Sequence, residues 1–355
     1  MSIKLFVIVA LVQLAFIVGL VLVVLGRRVQ RRFFGRARAA RRPEVALVFT
    51  RWSLGEVPVE DVVRHLRMVT RQAALDETLG AVANRVPAGR LEELSQALRG
   101  EAWVAAFLAG ASSRLWWHRL AAARALTAAG TERDRPLLAR LLGDPLPAVQ
   151  MAAAGAVERL ADRALIAQML DALVTRSLVV RRIQMRTLQA TWSLTGPLLL
   201  ERLAAKADGA RLGIWIALAD LAADPASVAA AAVYANHAEM EVRVAVAKLL
   251  RHYFHASTTG SLSALLRDSE WPVRAAAART AGALGDQRLV PLLRGALADG
   301  AWWVRFRAAL SLAQMGEPGR TALREAAAGP DRFARDMAAM VSGLSGGGVL
   351  ELAEN

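Results

Sequence analysis

A Val-Arg pair recurs along this sequence with a period of 31 residues. Stepping back by 31 from Arg305 lands on Arg274, Arg243, Leu212, Arg181, Gln150 and Arg119, and the residues just before these are Val304, Val273, Val242, Arg211, Val180, Val149 and His118. The fullest copies are Asp-Gly-Ala-Trp-Trp-Val-Arg-Phe-Arg-Ala-Ala-Leu at 299–310 and Asp-Ser-Glu-Trp-Pro-Val-Arg-Ala-Ala-Ala-Ala at 268–278. A unit this short cannot bury its own apolar face, so neighbouring copies must stack to make a continuous core. Length therefore does not count domains here.

Within each unit the period is that of a helix. Three and four places after each anchor stand Ala122-Ala123, Ala153-Ala154, Gln184-Met185, Trp215-Ile216, Val246-Ala247, Ala277-Ala278 and Ala308-Ala309. Seven places on come Leu126, Val157, Leu188, Ala219, Leu250, Ala281 and Leu312. That spacing is the stripe of a helix buried along one face. The alanines let two helix axes approach closely, and a larger side chain there overpacks at a cost of ~1–3 kcal/mol. Glycines such as Gly130, Gly196, Gly285 and Gly316 break the stripes, and a second apolar helix is expected after each: 136–142, 165–173, 197–207, 225–235, 262–266, 289–297 and 321–327. Two helices per unit make an αα-hairpin, strand signals are absent, and the chain reads as all-α.

The pattern Asp-x-x-x-x-Val-Arg-x-x-Ala-Ala-x-x-Leu-x-x-x-Gly, most complete from Asp268 and Asp299, resembles HEAT repeats of the short bacterial type also seen in bilin-lyase-like proteins. The resemblance covers about 113–344, some seven units and a partial eighth around Arg335. It implies a right-handed α-solenoid of about seven helix pairs that serves mainly as a binding scaffold. It also implies that an Asp and the Arg six residues later stack into a ladder along the array. Asp268 with Arg274 and Asp299 with Arg305 match, whereas Asp144 is followed by Gln150 and Thr175 stands before Arg181, so the ladder reads as incomplete at its start and centre.

The net charge of +14 invites a nucleic-acid reading until it is placed along the chain. Lys4 and eight arginines within residues 1–42, with no acid, carry +9, which leaves +5 for the other 313 residues and makes nucleic acid an unfavoured partner. The 21 uncharged residues from Leu5 to Leu25 match a bilayer core, at roughly 31 Å as a helix. Residues 1–26 are thus expected to be a transmembrane helix and 27–42 a basic juxtamembrane segment. In that segment Arg27, Arg28, Arg31, Arg32, Arg36, Arg38, Arg41 and Arg42 either lie along an anionic lipid surface or only fix topology. The positive-inside rule then places the chain in the inner membrane as a single-pass protein with its N-terminus outside and the solenoid cytoplasmic. Residues 43–112 read as helical without the period and suit an N-terminal cap, and 345–355, with Gly346 to Gly348, read as a flexible tail.

No cysteine occurs, which excludes disulfides, thiolate metal sites and a Cys nucleophile. His252 and His255 lack the Glu and third ligand of a zinc site, and no phosphate loop follows a strand, so neither a metal nor a cofactor is expected. Trp116, Trp271 and Trp302 stand three residues before their anchors, with Trp117 and Trp303 beside the outer two. A Trp at a helix start commonly staples the turn to the next unit, and the alternative is an aromatic edge for a partner, formed by Trp116, Trp271, Trp302 and Trp303. The fourth unit, with Leu212 at its anchor and an uncharged second helix at 225–235, is either curved tightly or covered by a partner.

Two functional expectations follow. The first is a membrane-anchored scaffold that binds another protein, since anchored HEAT-repeat proteins resemble companions of integral-membrane enzymes such as polysaccharide glycosyltransferases. The second is an enzyme of the bilin-lyase-like type, which would need a cleft of converging titratable groups.

Overall fold

The computed structural model describes residues 42–83, 86–205, 208–253, 255, 257–344 and 346–354, and every regular element among them is helical. The chain divides into two compact units, Met1–Leu160 and Ala161–Asn355. In the first unit the helices are α1 (Arg42–Ser53), α2 (Val59–Leu66), α3 (Arg71–Ala83), α4 (Ala88–Arg99), α5 (Ala102–Leu108), α6 (Trp116–Ala129), α7 (Arg135–Leu142) and α8 (Pro147–Leu160). Pro58 presets the extended backbone that precedes α2, and Glu60 and Asp61 occupy its first turn, where the helix dipole favours acids. The core of α1 to α5 forms around Trp52, which is fully buried and meets Phe49 edge-on at 6.3 Å, together with Leu66, Leu75, Leu94 and Leu98. Farther along, α6 packs against α8 with Ala122, Ala123, Ala153 and Ala154 all inaccessible.

The second unit contains α9 (Arg163–Ala172), α10 (Leu178–Ala190), α11 (Trp192–Ala204), α12 (Gly209–Ala222), α13 (Pro225–Ala232), α14 (Met240–Leu249), α15 (Thr258–Leu265), α16 (Trp271–Leu284), α17 (Val290–Ala296), α18 (Trp302–Gln314), α19 (Gly316–Ala327), α20 (Arg332–Ser342) and α21 (Gly346–Glu354). The anchor helices α12, α14, α16 and α18 pack in sequence, each on the next. Val180, Val242, Val273 and Val304 are wholly buried, as are Ala247, Ala277, Ala278, Ala308 and Ala309. Gly282 of α16 lets α18 come close: a Cβ there would lie 2.6 Å from the Ser311 Cβ. Beside it, Ser311 Oγ donates to the Ala278 carbonyl at 2.8 Å, and one repeat earlier Thr280 Oγ1 donates to the Ala247 carbonyl at 2.7 Å. Hydroxyls on a 31-residue period thus tie one anchor helix to the helix before it.

The charged ladder runs between repeats. Arg243 grips Asp268 through two hydrogen bonds of 2.7 and 2.9 Å, and Arg274 grips Asp299 at the same two distances, each Asp lying 25 residues on. The remaining Nη1 of each Arg donates to two carbonyls of the turn before its own helix, those of His237 and Ala238 or of Asp268 and Ser269. In the first unit Arg119 holds Asp144 at 2.6 and 3.2 Å, so the rung is present there although Gln150 replaces Arg. Gln150 keeps the backbone half of the role, donating from Nε2 to the Asp144 carbonyl at 2.6 Å. In the fourth unit Leu212 is buried at the anchor, and Arg211, one residue earlier, pairs at the surface with Asp208 at 3.3 Å. These ladder pairs are mostly buried, not half-exposed surface bridges.

Several expectations are corrected. Among the described residues no helix is long and apolar enough to cross a membrane. Their longest helices have 14 residues, a rise of about 21 Å against the roughly 30 Å of a bilayer core. The single-pass inner-membrane placement is therefore not supported. Residues 5–25 and Arg27, Arg28, Arg31, Arg32, Arg36, Arg38 and Arg41, on which it rested, lie outside the described residues, and Arg42 opens α1. The glycine-rich end expected to be a flexible tail forms α21, which packs on α18: Val349 is buried and Arg307 Nη1 donates to the Leu352 carbonyl at 2.9 Å. Helix α11 begins at Trp192, five residues before Pro197, and carries that proline inside it. The uncharged helix α13 buries Ser227, Val228 and Ala231 while Pro225 and Ala226 stay exposed, so its lack of charge reflects small outward side chains and not deep burial.

Candidate interaction surface

The first residue of each anchor helix lies three places before the anchor. At about 100° per residue that position falls just beyond the edge of the buried stripe, and the next position falls opposite it. A large apolar residue at either place is turned outward. Trp116, Trp117, Trp271, Trp302 and Trp303 are 43–51% exposed, and Phe333, one period after Trp302, is 54% exposed. Leu178 and Val179 stand at the same two positions of α10 and are also exposed.

The two units hold these residues separately. In the first, Trp116 meets Trp117 edge-on at 6.0 Å at the start of α6, and Trp117 meets the His118 ring at 6.0 Å. In the second, Trp271, Trp302 and Phe333 open or follow the opening of α16, α18 and α20. Trp302 stacks on Phe306 at 4.8 Å with planes 15° apart, and Trp303 stands edge-on to Trp302 at 4.8 Å. The Arg305 guanidinium lies 4.6 Å from the centre of the Phe333 ring. Pro330 occupies the place 25 residues after Arg305 where earlier rungs have Asp, so the last arginine of the ladder rests on an aromatic face. Exposed Glu270 precedes Trp271, and Asp331 Oδ1 caps α20 by accepting from the Ala334 amide at 2.8 Å. Sequence reasoning singled out the tryptophans but missed Phe333, Phe306 and Leu178. The 31-residue register would have found Phe333 and Leu178.

A second feature of this unit is a cavity of about 420 Å³ between α12 and α14, floored by Gly213, Ala217 and Ala245 with Arg181, Asp220, Glu241 and Lys248 around it. Burial pushes the Asp220 carboxyl above its usual range against the pull of Arg251 and His252. Arg251 donates to Asp220 Oδ2 at 2.8 Å, and His252 Nε2 lies 3.5 Å from Oδ1. His252 thus belongs to a carboxylate–arginine cluster. Among the described residues no group of three or more acids and histidines is placed to hold a metal ion.

Residues 258–343 match the family model for HEAT repeats. This stretch carries HEAT repeats. It spans α15 to α20 and so includes Trp271, Trp302, Trp303 and Phe333. No curated protein matches the chain. Among solved structures, human deoxyhypusine hydroxylase in complex with glycerol is similar at 17% identity over 90% of this chain and 98% of that chain, with a TM-score of 0.27. A likeness that distant says nothing about the activity of this chain. HEAT repeats in general mediate protein–protein interaction.

Proposed function

We propose that this protein is a HEAT-repeat scaffold whose partner is another protein, docked on the aromatic edge formed by Trp271, Trp302, Trp303 and Phe333. The supporting observation is that successive anchor helices in the HEAT region each present a large, half-exposed ring at the same register. Exposed aromatic rings at fixed positions are the usual energetic centre of a protein interface, because they remove much apolar area from water at little conformational cost. Trp116 and Trp117 offer a second patch of the same kind in the first unit. The link to an integral-membrane enzyme rested on a membrane anchor and is not carried forward. The one observation on the side of the lyase-like alternative is the Asp220 cavity, where Arg181, Asp220, Glu241 and Lys248 converge.

The test is co-purification from the native cell with the intact protein and with the Trp271→Ala/Trp302→Ala double variant. A protein enriched by the first and lost at least tenfold by the second, with the melting temperature held, supports the reading. Equal recovery by both sinks it, and a collapse in melting temperature would return the rings to a packing role.

A further inference from the structure

In the first unit, away from the aromatic edges, lies a polar cavity of about 440 Å³ bounded by α4, the turn after α6 and the end of α8. Arg159, on the last turn of α8, reaches its floor. Its Nη1 donates to Ser95 Oγ at 3.0 Å, and its Nη2 donates to the carbonyls of Leu126, at 3.1 Å, and of Gly130, where α6 ends. None of these acceptors is a carboxylate. Burial lowers the Arg159 pKa, with Glu92 and Asp134 opposing from a distance, so this cation is desolvated without a hydrogen-bonded anion of its own. Its Nε is buried and has no acceptor.

Arg99 enters the same cavity from α4. Its Nη2 donates to Asp134 Oδ1 at 2.7 Å, while its Nη1 is buried without an acceptor. Asp134 Oδ2 is taken up by the Thr131 amide at 2.8 Å and the Thr131 hydroxyl at 3.0 Å, so Arg99 holds only Oδ1 and makes no bidentate pair. Two guanidiniums from different helices therefore border one cavity, and each retains an unsatisfied buried N–H. Leaving such a donor unmet is unfavourable, the more so where the group is charged. A planar fork of this kind suits the oxygens of a carboxylate or phosphate.

We propose that this cavity binds a small metabolite through a carboxylate or phosphate group held between Arg99 and Arg159. The exposed rim carries Glu92 and Glu132 against the single cation Arg133, and the two acids limit what can enter. They repel polyanions such as nucleic acid and suit a ligand whose remainder is neutral or cationic. The volume lies toward the small end of ligand pockets, enough for the acidic group and a short body.

The experiment is calorimetric titration of the whole chain at constant ionic strength with inorganic phosphate, with succinate, and with chloride as the control. Saturable binding of phosphate or succinate, absent with chloride, is expected, and whichever binds more tightly identifies the acidic group. Arg99→Lys can keep one contact to Asp134 but replaces the planar fork with a shorter-reaching point charge, and should weaken binding at least tenfold. Glu132→Gln, at an exposed rim position that leaves the fold intact, should strengthen it several-fold. Absence of saturable binding by both anions overturns the proposal, and so does unchanged affinity in both variants. If Arg99→Lys lowers the melting temperature, Glu132→Gln decides alone.

Discussion

At the scale of single residues, the repeated arginines work as bonds between neighbouring units. Arg243 uses Nε and Nη2 on Asp268 and Nη1 on two carbonyls, so replacing Asp268 leaves a mostly buried guanidinium with only backbone acceptors. Asp268→Ala should lower the stability to urea by about 1–3 kcal/mol, whereas Asp336→Ala, at an exposed pair of 3.7 Å, should change it little. The same contacts set the acid response. Hydrogen bonds from Arg243 hold Asp268 below the usual carboxylate range; Asp299, which burial alone would raise, is held low by Arg274; and Arg288 and Thr259 bring Asp286 down to about 2. A carboxylate that is more acidic folded than unfolded stabilises the fold above the unfolded value of 3.8 and loses that contribution as pH falls toward its folded value. The melting temperature should therefore fall steeply between about pH 4 and about pH 2, and Asp286→Asn should flatten part of that fall. Asp220, raised by burial, contributes with the opposite sign. Gln184 breaks the pattern differently: it sits fully buried in the anchor stripe where the other units place Ala, Val or Trp, with neither amide atom bonded. Gln184→Met, similar in volume and free of orphaned polar atoms, should raise the melting temperature, by an amount equivalent to about 1–2 kcal/mol.

At the scale of elements, what the sequence makes legible follows from what repeats. The stripe positions three, four and seven places after each anchor are buried in nearly every unit because one geometry is required at every stack. The second helices were less legible. Helix α11 starts five residues before the proline that seemed to begin it, since Thr191 alone separates it from α10 and the backbone bonds Leu194 to Thr191 and Thr195 to Thr191 carry the turn forward. The rungs between repeats were missed for another reason: an Asp six residues before an Arg is adjacent in the pattern, but its carboxylate faces the Arg of the preceding unit. Helix ends also record strain. Ala223 closes α12 in the left-handed region at φ 52°, a place that glycine fills without a Cβ penalty. Ala223→Gly should stabilise by about 0.5–1 kcal/mol in thermal melts, provided the Ala223 amide keeps its 2.9 Å bond to the Ala219 carbonyl.

At the scale of the whole molecule, the aromatic edge was half legible: the sequence placed the tryptophans at helix starts but did not decide between stapling and display. That choice depends on the angle between the first helical residue and the buried stripe, which the anchor alignment fixes once the helix start is known. The Arg99–Arg159 cavity was not legible at all, because its parts come from α4, α6 and α8 at positions that share no repeat register. The division into two compact units was hidden for a similar reason: the 31-residue period runs through Leu160 and Ala161 without interruption. In a stacked array stability is carried by nearest-neighbour contacts, so damage at one stack is felt first by the unit that contains it. Gly282 tests this. Alanine there forces α16 away from Ser311 and should cost about 1–3 kcal/mol, because the atoms in the way include the Ser311 Cα at 2.8 Å, which cannot rotate aside. Hydrogen exchange should then show Gly282→Ala accelerating amides of α16 and α18 most and those around Trp52 in the first unit least. Equal acceleration at Trp52 would mean that the two units unfold as one cooperative body.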